Sequence, residues 1–150
     1  MRKAFLLLVF HLSAVLFLHA QHTTPNDKQK KEISSLIDLY SQAREKQDTV
    51  LLKRILTQDV DQLVSTGEWR NGIDASVQGM LRSSTNTPGT RTLSIEKIRM
   101  LHPTSAIVDC RYELQNRDGT LRKMWSTFIV IAHKGSWKIT AIRNMLPETR

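Results

Sequence analysis

The chain has 150 residues, a formal net charge of +8 and a single cysteine. This length suits one domain with a real core, and Cys110 alone excludes an internal disulfide, so the fold must stand on packing. The charges are scattered from Lys28 to Arg150 without a block or an interleaved aromatic patch, so they read as a solvated surface and not as a nucleic-acid platform.

The chain opens with Arg2 and Lys3, then an apolar run over residues 4–18 broken by His11 and Ser13, then His19-Ala20-Gln21. This three-part pattern predicts a secretory signal over residues 1–20 and export to the periplasm or beyond. The run is shorter than the ~20 apolar residues of a membrane span, so no stable span is expected after cleavage. Cys110 should then be buried, away from an oxidising solvent. Residues 21–31 are polar, contain Pro25 and read as a flexible leader, which leaves residues 32–147 as the domain.

From Glu32 the apolar period is helical: Ile33, Leu36, Ile37, Tyr40 and Ala43 form one stripe. Asp48 or Thr49 can cap a short second helix carrying Val50, Leu51, Ile55 and Leu56. The stretch "DVDQLVSTGEW" reads as a short strand ending in a turn at Gly67, with Val60 out of step with Leu63. Asn71 is a candidate N-cap for a third helix, whose stripe is Ile73, Val77, Met80 and Leu81, with Asp74 facing the positive helix end.

"RSSTNTPG" marks a loop, and everything after Thr90 is extended. The strand over residues 92–101 slips phase between Leu93-Ile95 and Ile98-Met100, which predicts a bulge. In residues 105–115, Ala106, Val108, Cys110, Tyr112 and Leu114 face inward, and Asp109, Arg111 and Glu113 face outward. A long strand over residues 121–133 and a last strand after "HKGS" complete an antiparallel meander. Three helices with one early strand followed by four strands predict an α+β domain, helices packed on one face of a curved antiparallel sheet. Such a sheet leaves a cavity at its open end where a small ligand fits.

"TQDVDQLVSTGEWRNGIDASVQGM" resembles a segment of the nuclear transport factor 2-like domains, in particular their SnoaL-like branch. There an Asp ends the second helix, a short strand follows, and a Trp and Gly open the third helix. "GSWKITAIRNMLP" is similar to that branch's closing strand. The resemblance covers residues 32–147 and implies a cystatin-like cone or barrel, commonly dimeric, with a pocket lined by the concave sheet. The superfamily holds ketosteroid isomerases, polyketide cyclases and dehydratases beside non-catalytic binding domains, so fold alone licenses no activity. The steroid isomerases set an Asp base against a Tyr and a protonated acid. No such trio can be placed here: Asp59 and Asp61 lie at a helix–strand junction, and Asp109 faces outward.

The candidate pocket residues are Arg143, Tyr112, Trp69, Tyr40, Asp59 and Asn144. Arg143 follows Trp137, Ile139 and Ala141 at a spacing of two, a permanent charge in the inward register. It either pairs a ligand oxygen or is structural, closing an internal salt bridge or standing at an exposed strand end; if it is inside, Asp59 and Asp61 are the candidate partners within the chain. Asn144 takes the opposite face unless the strand bulges. Trp69 is a candidate lid, Tyr40 and Tyr112 candidate hydroxyl donors, and Asp59 with Asp61 a candidate acid–base pair whose plainer reading is solvated. Trp137 reads as core. His22, His102 and His133 have no partner at ligand spacing, so neither a metal nor a cofactor is expected. Ile107 and Ile142 fall on the outer face of the sheet, which predicts a homodimer through that face. The function expected is binding of a small, partly apolar ligand, the alternative being isomerase, cyclase or dehydratase chemistry.

Overall fold

The computed structural model describes residues 24–147, and the predicted signal, residues 1–20, lies outside the described residues. The chain order is α1 (Asp27–Glu45), α2 (Thr49–Ile55), β1 (Leu56–Leu63), β2 (Trp69–Asn71), α3 (Ile73–Asn86), β3 (Gly89–His102), β4 (Ser105–Asn116), β5 (Leu121–His133) and β6 (Ser136–Met145). The strands form one sheet in the order β2-β1-β6-β5-β4-β3.

α1 starts at Asp27, so half of the expected leader is helix. The cause is a capping box: Asn26 Oδ1 accepts from the Gln29 amide at 2.8 Å, and Gln29 Oε1 accepts from the Asn26 amide at 3.1 Å. Such a cap contributes about 1 kcal/mol. Asp48 caps α2, accepting from the Leu51 amide at 2.8 Å. Leu56 opens β1 instead of closing α2. α3 is not capped by Asn71. That residue ends β2, and Gly72 takes the N-cap position with φ +82°, a conformation glycine reaches without strain.

Four of the five neighbouring strand pairs are antiparallel, but β1 runs parallel to β6, which corrects the expectation of a wholly antiparallel sheet. The strand register shifts at four places, and two of these bulges bear on the site. The first lies at Glu96 in β3, where the phase slip predicts it. The second is at Thr140: Ile129 pairs with Ala141 and Val130 with Ile139, so Thr140 is the extra residue in β6. This bulge reverses the facing of everything after it. Ile142 and Asn144 turn inward with Phe128 and Ser126, while Ala141 and Arg143 turn outward with Ile129 and Thr127.

The three helices cover the concave face. Ile33, Ile37 and Tyr40 of α1 meet Val77 and Met80 of α3 and the inward side chains of Val108, Phe128, Val130, Ile139 and Ile142. Tyr40 packs edge-on to Phe128, ring centres 5.1 Å apart. Each such fully buried large side chain contributes about 1.5–3 kcal/mol. Ile142, expected outside, is therefore core. Cys110 is fully buried as expected, and burial, with the charges of Asp109 and Glu96, pushes its thiol up to about 12.

Candidate functional site

The inner face of the sheet is built in cross-strand rows. Arg91, Leu114 and Arg122 lie side by side on β3, β4 and β5, and Leu93, Tyr112 and Met124 form the next row. Deeper still, Cys110 and Ser126 pair across β4 and β5, and Ser126 pairs with Asn144 of β6. The Ser126 hydroxyl donates to Asn144 Oδ1 at 2.7 Å. These rows run past the end of the helical cover. They leave a cavity of about 260 Å³ between the sheet, the C-terminal ends of α1 and α3, and the β1–β2 turn.

Five arginines line this cavity, Arg44, Arg70, Arg82, Arg91 and Arg122, against a single carboxylate, Glu68. Arg70 of β2 is buried and pairs in register with Gln62 of β1. Its Nε donates to Glu68 Oε1 at 3.2 Å and its Nη1 to Gln62 Oε1 at 3.4 Å. Hydrogen bonding and charge from Arg70 hold the Glu68 carboxyl below the usual carboxylate range, with Arg82 adding to the effect. Arg91 donates to the carbonyls of Gly89, Ser83 and Thr87, the last two at the C-terminal end of α3. A cation is at home there, facing the negative end of the helix. Arg122 donates to the Ser65 hydroxyl at 2.9 Å.

Arg44 is different. It extends from the last turn of α1, only 9% exposed; its Nε, like that of Arg91, is buried without a hydrogen-bond partner, whereas the Nη atoms of Arg91 have the carbonyls at the end of α3. Its guanidinium carbon stands 5.9 Å from the centre of the Tyr40 ring, and no carboxylate lies within ion-pair distance of it among the described residues. Burial raises the Tyr40 hydroxyl, against the pull of the Arg44 charge, so the phenol stays neutral. A cation–π contact offsets part of the cost of burying the charge, about 2 kcal/mol at best. It supplies no counter-ion.

Of the residues singled out from the sequence, Tyr112 and Asn144 line the cavity. Tyr40 is buried in the core beside Arg44. Arg143 is on the convex face, where its Nη1 and Nη2 donate to Asp61 Oδ1 and Oδ2 at 3.0 and 2.9 Å. Its guanidinium also stacks 4.7 Å from the ring centre of Trp69, which is half in solvent and lids nothing on the concave side. Of the two partners considered for Arg143, Asp61 is the one. Asp59 is exposed, away from the cavity, on the wall of a separate pocket of about 380 Å³ with Lys53, His133 and Lys138. Trp137 is partly buried against the core and donates to Glu32 Oε2 at 3.2 Å.

Arg44, Gln62, Glu68, Arg70, Arg91 and Arg122 were not singled out from the sequence. The signal for three of them was present. Arg44 lies on the apolar stripe of α1 four residues after Tyr40, and Arg91 and Arg122 share the inward alternation of Leu93 and Met124. A larger groove, about 640 Å³, runs between α1, α2 and the β5–β6 turn over Leu36, Leu39, Ile55 and Trp137. No unsatisfied buried polar group belongs to it, so it lacks the chemical demand that marks the inner cavity. Among the described residues no cluster of three or more His, Cys, Asp or Glu is placed to hold a metal ion, and no helix is long and apolar enough to cross a membrane.

The architecture and the open-end cavity define a nuclear transport factor 2-like, cystatin-like fold. No family model matches the chain, and no curated protein matches it in sequence. Solved structures do. A nuclear transport factor 2-like protein of unknown function from Shewanella oneidensis is 22% identical, with 77% of this chain and 98% of that one covered, at a TM-score of 0.64. A cystatin-like domain of unknown function from Nostoc punctiforme is 12% identical over 83% of this chain and 81% of that one, TM-score 0.73. A nuclear transport factor 2-like protein from Novosphingobium aromaticivorans is 16% identical over 82% and 84%, TM-score 0.71. At these identities the likeness shows the fold alone.

Proposed function

We propose that this chain is an exported binding protein of the SnoaL-like kind, and that its open-end cavity takes a small anionic molecule with an apolar body. One observation carries the reading: Arg44 is buried at the cavity with no anionic partner among the described residues. An unpaired buried charge costs several kcal/mol, a large share of the 5–15 kcal/mol that holds a domain together. A site that bears such a cost is matched by a ligand that supplies the missing charge. Leu114, Met124 and Tyr112 offer the apolar surface beside it.

The acid–base alternative has less support. Its general base would have to be Glu68, since the other lining residues carry no carboxylate. Glu68 is held ionised by Arg70, which makes it a weak base. Export rests on the N-terminal pattern of the sequence. The apolar outer-face side chains Ile107, Ile129, Ile131, Trp125 and Met145 support a homodimer through the sheets.

The test is native mass spectrometry of the purified protein, then titration with small organic anions. The expected result is a bound anion that is lost in Arg44→Met, with binding weakened at least tenfold and no fall in melting temperature. A protein that carries and binds no anion, or an Arg44→Met variant that binds as well as the original, would overturn the reading.

A further inference from the structure

The cations around the cavity are not equivalent, and their accounting reaches beyond the sign of the ligand. Arg70 is matched by Glu68. Arg82 is mostly in solvent, its side chain 61% exposed, and it too leans towards Glu68. Arg91 donates from both Nη atoms to three carbonyls, two of them at the negative end of α3, although its Nε, like that of Arg44, is buried without a partner. Among the described residues two guanidinium groups are left without an anionic or helix-end partner: Arg44, from α1, and Arg122, from β5, whose one hydrogen bond goes to a neutral hydroxyl. They enter from different layers of the fold, one from the helices and one from the sheet.

We infer that the ligand of this cavity is a dianion, a small organic dicarboxylate or phosphate monoester, with one charged group or oxygen set directed to Arg44 and the other to Arg122. The inference rests on the anion-binding reading above and adds to it the number of charges. A monoanion would answer one of the two guanidiniums and leave the other in the condition that makes Arg44 costly. A ligand with three or more charges would lack a third free cation in the interior. The size agrees: the cavity holds about 260 Å³. That suits a compact ring or short chain bearing two anionic ends.

Calorimetric titration at fixed ionic strength and pH 7.5 tests this with matched probes: phthalate against benzoate, succinate against butyrate, and phenyl phosphate. The expected result is at least tenfold tighter binding of a dianion than of its monoanionic counterpart. Arg122→Gln should bring that ratio close to one while changing monoanion affinity about twofold or less. Arg44→Gln should weaken both, and Arg44→Lys, which keeps the charge, should restore part of the loss if the Gln variant folds poorly. Arg54→Gln, in the groove on the other side of α1, controls for diffuse attraction and should leave the ratio unchanged. Preference for phthalate or for phenyl phosphate identifies the head group. Equal binding of mono- and dianion, or a ratio that Arg54→Gln lowers as much as Arg122→Gln, overturns the inference and leaves the anion-binding reading standing. Failure of every probe, with no anion carried from purification, overturns both.

Discussion

Two arginines, each placed by a periodic pattern on a buried-looking face, come to opposite ends. Arg143 meets a carboxylate with both Nη atoms and lies on the convex face; Arg44 meets none among the described residues and lies inside. The Arg143–Asp61 pair is partly solvated, with side chains 28% and 35% exposed, so it belongs to the class of surface ion pairs worth about 0.2–1 kcal/mol. Arg143→Met is therefore expected to lower stability by about 1 kcal/mol or less, read by chemical denaturation, and to leave ligand affinity unchanged. Loss of affinity in that variant would return Arg143 to the site. Arg44 has the reverse profile, its removal relieving an unpaired charge at the expense of binding. Cys110 remains a protonated thiol at any ordinary pH, because its burial opposes the thiolate.

At the scale of elements, the seating of α3 against β2 depends on one glycine. A Cβ built on Gly79 would collide with Arg70 Nε, so the Arg70 side chain crosses the helix through the space that glycine leaves. Gly79→Ala must displace a side chain held by Glu68 and Gln62, and the expected loss is about 1–3 kcal/mol despite alanine's better helix propensity. Arg70→Ala removes the obstacle. In the Arg70→Ala background the Gly79→Ala change should be neutral or stabilising, and a double-mutant cycle reads the difference. The same ion pair carries a pH dependence. Glu68 is lowered by Arg70, so its contribution is present at neutral pH and is lost as pH falls through the depressed value, below the ordinary 4.5. In Glu68→Gln that part of the acid destabilisation should vanish from a denaturation series between pH 5 and pH 2.

Over the molecule, a curved sheet longer than its helical cover produces the cavity, and the parallel β1–β6 junction brings the β1–β2 turn round to its rim. The convex side carries Trp69, Trp125 and Met145 with large exposed areas. Light scattering at micromolar concentration is expected to give the mass of a dimer, and a monomer there would leave this face for another partner. The order of elements was legible because each follows from local chemistry. The stripe of α1, the cap at Asp48, the alternation of β4 and the phase slip of β3 are all written within a dozen residues of chain. The early hairpin was half legible, since β2 is three residues long and owes its strand form to pairing with β1.

The site was less legible, and Thr140 shows why. The spacing of Trp137, Ile139, Ala141 and Arg143 reads as one inward face, yet a single extra residue puts Arg143 outside and Asn144 inside. Whether a strand bulges is settled by what its neighbours offer to pair with, and those neighbours are far away in sequence. What the sequence determined by itself was the class of architecture, the burial of Cys110 and the need of each inward charge for a partner, because periodicity and turn chemistry act over short range. Only the tertiary structure decided which charge was matched. Asp61 reaches Arg143 across a parallel junction between the two ends of the domain, and among the described residues no carboxylate reaches Arg44. Compensation of charge is a property of distance in space, which the chain does not set until it has folded.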